Sequence, residues 1–241
     1  MTQRTKEAYD LAFETERKKE YPAVDAYERR LGFAINRGKL EDAARVLACP
    51  IKVNPPNWQH GRIVYATARK RLADLKDVAT LLDIGTAKGF SAICANWALQ
   101  DSGVLGRVHS TDVIHPESTE PRNSVADLDG PQALSEIVAP WLDNDRHIFF
   151  DGLSGVDWLK QHARYRIHFA FIDGKHSYEA VSAECGLLTG AQSAGDVIVL
   201  DDLQIPGIAR AMSELTATGR YEAQTIIALP NRAYGVAWRT R

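Results

Sequence analysis

From residue 80 onward, short apolar runs of strand length alternate with longer stretches of helical period. The runs are 80–84, 107–112, 147–150, 168–172 and 197–200. Apolar strands separated by helix-length segments predict a parallel sheet with helices on both faces. The C-terminal pattern differs: 221–229, the turn Pro230-Asn231-Arg232 and 233–239 read as two strands joined directly. That predicts an antiparallel hairpin at the sheet edge. The expected fold class is therefore α/β, a doubly wound sheet of seven strands, mostly parallel, closed by a C-terminal antiparallel hairpin.

Residues 5–48 lack strand-like runs and space their apolar positions, such as Leu11, Phe13, Tyr21, Val24, Tyr27, Leu31, Phe33 and Ile35, among acids and bases. This reads as an N-terminal helical appendage, broken into short helices at Gly32 and Gly38, with 40–47 as its last amphipathic stretch. Packing, covering the site and dimerisation are all open to it. Residues 49–58, rich in proline, form a link into a helix that begins near His60. The predicted division is 1–56 for the appendage and 57–241 for the α/β domain. A polar insert, 115–129, carries Pro116 and Pro121 and has neither period, so it is expected to loop over a ligand site.

Length and charge narrow the class. The 241 residues, 45% hydrophobic, suffice for one α/β core plus an appendage. With 29 lysines and arginines against 31 acids, the net charge of -2 offers no broad basic field, and neither nucleic acid nor a membrane surface is an expected partner. Cys49, Cys94 and Cys185 are three, widely spaced and in apolar contexts, which suits reduced core thiols. The chain has no apolar run of membrane-spanning length and no apolar signal core at its start, so a cytoplasmic location is expected.

The most informative segment is Leu81-Leu82-Asp83-Ile84-Gly85-Thr86-Ala87-Lys88-Gly89-Phe90-Ser91, an apolar strand ending in a turn with two glycines. Glycine at a parallel strand end permits unusual φ and close approach of a ligand to the main chain. Ala87 stands where a dinucleotide fold needs its middle glycine, so a cofactor without a diphosphate fits better. Asp112 ends the next strand, where a carboxylate can accept hydrogen bonds from ribose hydroxyls, and Asp83 can meet a cationic amino group. Together these features describe S-adenosylmethionine.

On these residues the chain resembles class I S-adenosylmethionine-dependent methyltransferases, and among them small-molecule O-methyltransferases of the catechol and macrocin types. The resemblance covers about residues 57–241. It implies a Rossmann-like sheet and further cofactor contacts: His60 and Gly61 at the methionine part, Gly85, Thr86 and Gly89 in the turn, and Asp151 and Gly152 beside the adenine. Ser91 at a helix start can receive the cofactor carboxylate. Ser91 and Ser154 are equally suited to be helix caps.

The second strong segment is Phe169-Ala170-Phe171-Ile172-Asp173-Gly174-Lys175-His176, which delivers charged groups to the carboxyl edge of the sheet. Asp201 and Asp202 follow the next strand. Asp173, Asp201 and Asp202 are the expected oxygen ligands of a divalent cation such as Mg2+. Such a cation lowers the pKa of an acceptor hydroxyl, and His176 stands where related enzymes carry a base. Asp173, His176 and Lys175 are the catalytic candidates. Lys175 departs from the usual acid of the relatives. Pointing inward, its ammonium would replace the metal's charge, and pointing away it would change nothing.

The acceptor class implied is a small-molecule or glycan hydroxyl, with a homodimer left open. The rivals are a metal-independent or N-methyltransferase, a non-catalytic cofactor-binding scaffold and, more distantly, a nicotinamide oxidoreductase. Asn54-Pro55-Pro56 resembles a motif of adenine-specific amino-methyltransferases, yet it precedes the glycine turn here and reads as a rigid connector.

Overall fold

The computed structural model describes residues 4–52, 55–142 and 147–241; Asn54 of the Asn-Pro-Pro triplet lies outside the described residues. Seven strands form one sheet: β1 Ala79–Ile84, β2 Gly106–Thr111, β3 Ile148–Asp151, β4 Phe169–Ile172, β5 Val197–Leu200, β6 Tyr221–Leu229 and β7 Arg232–Arg239. Their order is β3-β2-β1-β4-β5-β7-β6. The first five run parallel, and β7 enters antiparallel between β5 and β6. The hairpin therefore does more than fringe the sheet, because β7 pairs on both sides.

Alternation along each inner strand fills two cores. Leu81, Phe169, Phe171, Val197 and Val199 belong to one cluster, and Leu82, Ala170, Ile172, Ile198 and Leu200 to the other. Successive side chains of a strand point to opposite faces, and a sheet covered on both faces needs apolar residues at every position. The helices α4 Gln59–Leu72 and α5 Phe90–Ser102 cover the first face. The helices α7 Gly155–Gln161, α8 Tyr178–Ala191 and α9 Pro206–Ala217 cover the second, while α6 Leu134–Val138 joins the first.

The N-terminal helices α1 Lys6–Arg17, α2 Pro22–Leu31 and α3 Arg37–Leu47 share the first core. Their Phe13, Tyr27, Leu40 and Leu47 are buried in it with Trp58, Ile63 and Phe90. A buried ion pair adds a fixed contact: Arg62 of α4 donates to Glu28 and Asp25 of α2 and, at 2.9 Å, to Gln59 Oε1. Gly32 ends α2 in the left-handed conformation with φ +79°, as a helix-terminating glycine does. Gly38 breaks nothing. It lies in the first turn of α3, which begins one residue after Asn36, whose side chain accepts from Lys39 N at 3.0 Å.

The insert is more ordered than its sequence period implies. Ser124 and Asp127 form a reciprocal capping box that starts a 3-10 turn at Val125–Asp129. Ser124 Oγ donates to Val46 O at 2.7 Å, and Arg122 Nη1 donates to Ala87 O at 2.7 Å. The segment is thus tied to α3 on one side and to the glycine turn on the other. No helix among the described residues is long and apolar enough to cross a membrane.

Candidate active site

The glycine turn, the ends of β4 and β5 and the start of α4 line a cavity of about 550 Å³. Gly85, Thr86, Lys88, Ser91, His60 and Asp173 are all on its wall. The sheet explains the arrangement: β1 and β4 are neighbours in register, so their following loops meet at one edge.

The turn owes its shape to packing as much as to ligand access. Gly85 has φ +102°, and a Cβ there would run into the carbonyl of Asp173. Gly89, with φ +82°, caps α5, and a Cβ on it would lie 2.8 Å from Val138 Cγ1. Ala87 holds a left-handed φ of 45° without being glycine. Its N–H donates to Asp112 Oδ2 at 2.8 Å, and its carbonyl accepts from Arg122, which pin that conformation from both sides.

Several residues expected at the cofactor also make contacts within the fold, Asp83 and Asp112 with the turn and its neighbours and the others beside it. Asp83 is buried beneath the turn and outside the cavity wall; its Oδ2 accepts from Ser110 Oγ at 2.6 Å, and Ser110 in turn is 2.7 Å from Thr86 Oγ1. Burial pushes its carboxyl up to about 6. Gly61 lets α4 pack on α5, since a Cβ would sit 2.6 Å from the Phe90 ring. Asp151 accepts from Trp158 Nε1 at 2.7 Å, and Gly152 packs beneath His115, 2.7 Å from where its Cβ would be. Asp112, Asp151 and Gly152 are not on the wall of this cavity, whereas Ser91 is, and is buried. His60 stacks parallel to Phe171 at 6.0 Å, and burial drives its pKa down to about 4, so it is a neutral ring.

The acids at the strand ends are divided between two partners. His176 Nε2 lies 3.1 Å from Asp173 Oδ1, and Nδ1 lies 3.4 Å from Asp202 Oδ2. The Asp173 hydrogen bond raises the imidazole pKa above its ordinary value, against the opposing effect of burial. Asp201 faces elsewhere. Arg232, the first residue of β7, donates to Asp201 Oδ2 at 2.9 Å and to Asp202 Oδ1 at 2.7 Å. Burial and the neighbouring Asp173 push the Asp201 carboxyl up, while Arg232 draws it down.

Lys175 is exposed and off the cavity wall, so the cation beside the acids is Arg232. Sequence reasoning missed this residue because an arginine after Pro230-Asn231 carries only the signal of a turn. The pairing of β7 with β5 brings it to the acids, placing Gly235 beside Leu200. Lys88 was legible as part of the glycine segment but suggested no role.

Among the described residues, ligand atoms of Asp173, His176 and Asp202 lie within 4.8 Å of one another. That set fits a divalent cation in spacing, with a nitrogen donor where the sequence suggested Asp201.

A sheet-edge turn of this kind, with acids at the neighbouring strand ends and an antiparallel β7, defines a class I methyltransferase fold. A family model described as a methyltransferase domain matches residues 82–203, about half of the chain, and the protein belongs to that family. Solved structures agree on the fold. The Bacillus cereus O-methyltransferase in complex with S-adenosylhomocysteine aligns at a TM-score of 0.55 and 18% identity, over 86% of this chain and 92% of its own. TomG from Streptomyces achromogenes, an O-methyltransferase of tomaymycin synthesis solved with S-adenosylmethionine, gives 0.59 and 16% over the same shares, 86% and 92%. The Podospora anserina methyltransferase PaMTH1, bound to S-adenosylhomocysteine, gives 0.54 and 13% over 100% and 99%. A search of curated proteins finds no match.

Proposed function

We propose that the protein transfers the methyl group of S-adenosylmethionine to a hydroxyl oxygen of a small molecule, a sugar hydroxyl included. The observation that carries this reading is the convergence of Asp173, His176 and the glycine turn in one cavity. Ser91, buried on the cavity wall at the start of α5, is suited to the cofactor carboxylate. Asp173 is suited to its amino group, and Asp112 to its ribose. Holding the sulfonium methyl and the hydroxyl in line supplies much of the acceleration, on the order of several kcal/mol.

His176 is the proton acceptor in this scheme. As a neutral ring it takes the hydroxyl proton, and the carboxylates of Asp173 and Asp202 stabilise the imidazolium that results. The same pairing fixes the ring's orientation. Neutral His60, on the cavity wall and backed by the buried Phe171 ring, offers an uncharged ring to the acceptor.

A metal-assisted form of the reaction has one observation in its favour, the spacing of Asp173, His176 and Asp202. A divalent cation held there would lower the pKa of the acceptor hydroxyl. Arg232 already neutralises Asp201 and part of Asp202, which reduces the charge left for such an ion.

Transfer of labelled methyl from S-adenosylmethionine to a panel of phenols, catechols and sugars tests the reading, with and without prior chelation. Turnover on hydroxyl but not amine acceptors is expected. Turnover confined to amines would replace it with N-methylation, and cofactor binding without any turnover would favour a scaffold. Sedimentation of the same preparation decides between monomer and homodimer.

A further inference from the structure

Lys88 is 8% exposed, lines the cavity, and makes no hydrogen bond or ion pair with any described residue. The ammonium of a lysine this buried is partly desolvated, and without a counter-charge that is costly, so its presence on the cavity wall calls for something that offsets the cost. Two further lysines line the same cavity. Lys19 is already paired with Glu16 at 2.7 Å, whereas Lys52 is exposed and has no ion pair among the described residues.

The neighbouring acids are committed elsewhere. Asp127 accepts from Arg122 N at 3.1 Å and from Ser124 N at 3.0 Å in its capping box. Asp173 and Asp202, the carboxylates on the cavity wall, are engaged by His176 and Arg232. The cavity thus holds acids already engaged by His176 and Arg232 at the β4 and β5 ends, and ammonium groups without an ion pair among the described residues from the glycine turn and the link before α4.

We propose that Lys88, supported by Lys52, is an anion-binding site that pairs with an acidic group on the methyl acceptor, a carboxylate, phosphate or sulfate remote from the methylated hydroxyl. This rests on the methyltransferase reading above and adds a substrate class to it. Desolvation accounts for the low Lys88 pKa, about 8, with Lys52 beside it adding to the effect, and an anion would reverse that shift. A carboxylate also arrives on the methionine end of the cofactor. Ser91 offers that group a separate place at the α5 N-terminus, so the two sources make different demands on Lys88.

The test follows the Lys88 side chain by NMR in protein carrying isotope-labelled lysine, with the resonance identified by its loss in Lys88→Arg. Benzoate, inorganic phosphate and inorganic sulfate are added in turn to protein saturated with S-adenosylhomocysteine. At least one anion should shift the resonance saturably and raise its titration midpoint by about one unit or more. Lys88→Met should bind that anion roughly tenfold more weakly, Lys88→Arg should retain it, and both should keep the wild-type affinity for S-adenosylhomocysteine. The proposal is overturned if no anion moves the resonance, or if exposed Lys160 and Lys175 shift equally. It is also overturned if Lys88→Met weakens S-adenosylhomocysteine binding by the same factor, because the anion is then the cofactor's own carboxylate. Failure of S-adenosylhomocysteine to bind wild-type protein would instead overturn the cofactor reading, and the anion titration of ligand-free protein would still report on Lys88.

Discussion

The Arg232 guanidinium lies 2.9 Å from the carboxylate of Asp201, which is 1% exposed. A residue from the C-terminal hairpin therefore completes the charge balance of a strand end more than thirty positions earlier in the chain. Asp201 and Asp202 hold Arg232 protonated even though burial opposes it. Removing one member of a buried pair leaves the other uncompensated, at a cost of ~3–5 kcal/mol. Arg232→Met should lose stability of that order at pH 8 in urea denaturation. The loss should be smaller at pH 5, where Asp201 can take up a proton. Equal losses at both pH values would show that the pair is not electrostatic.

Gly85 and Ala87 make opposite predictions two residues apart. A Cβ at Gly85 collides with the Asp173 carbonyl, so Gly85→Ala should cost ~2–4 kcal/mol and weaken S-adenosylhomocysteine binding by shifting the end of β4. Ala87 already bears the strain of a φ of 45°, and Ala87→Gly should change stability by a gain of up to ~1 kcal/mol. Thermal denaturation of the two variants, with calorimetry of cofactor-product binding, reads both effects.

His176 predicts the pH dependence of turnover. The base acts only when neutral, and its pKa is raised above the ordinary 6.5 chiefly by the Asp173 hydrogen bond. Activity should therefore be lost on acidification through that raised value and be fully present above it. In an NMR titration, Asp173→Asn should lower the His176 midpoint. A midpoint that stays in place would remove Asp173 as the cause. Asp173→Ala should spare the fold and abolish turnover.

Glu184 gives a prediction about stability alone. It is 3% exposed on α8, its Oε2 has no partner among the described residues, and burial raises its carboxyl from 4.5 to about 7. The folded state then holds a proton that the unfolded state releases, so stability falls as pH rises from about 4.5 to about 7. Glu184→Gln removes that loss. At pH 8 it should be more stable than wild type by on the order of 2 kcal/mol, with the difference shrinking toward pH 4. Denaturation at the two pH values is the check.

The periodicity of the chain determined the sheet. Apolar runs such as 197–200 are buried on both faces by a parallel sheet whatever else the chain does, and the strands begin and end within one residue of the expected positions. The glycine turn and the acids after β4 and β5 were legible for a related reason, since a parallel sheet brings consecutive strand ends to one edge. Local signals alone misplaced the start of α3, where capping by Asn36 outweighs the breaking tendency of Gly38. They also left the insert without form, although Ser124 and Asp127 have the spacing of a capping box.

Tertiary structure decided which groups face the cavity and which charges find partners. Asp83 turned under the turn and Lys175 turned outward, while Lys88 turned inward and Arg232 arrived from the hairpin. Sequence specifies secondary structure through neighbours a few positions apart, which is why strand ends and turns can be read from it. Charge compensation inside a cavity is set by distances between residues far apart in the chain, and only the packed sheet determines those distances.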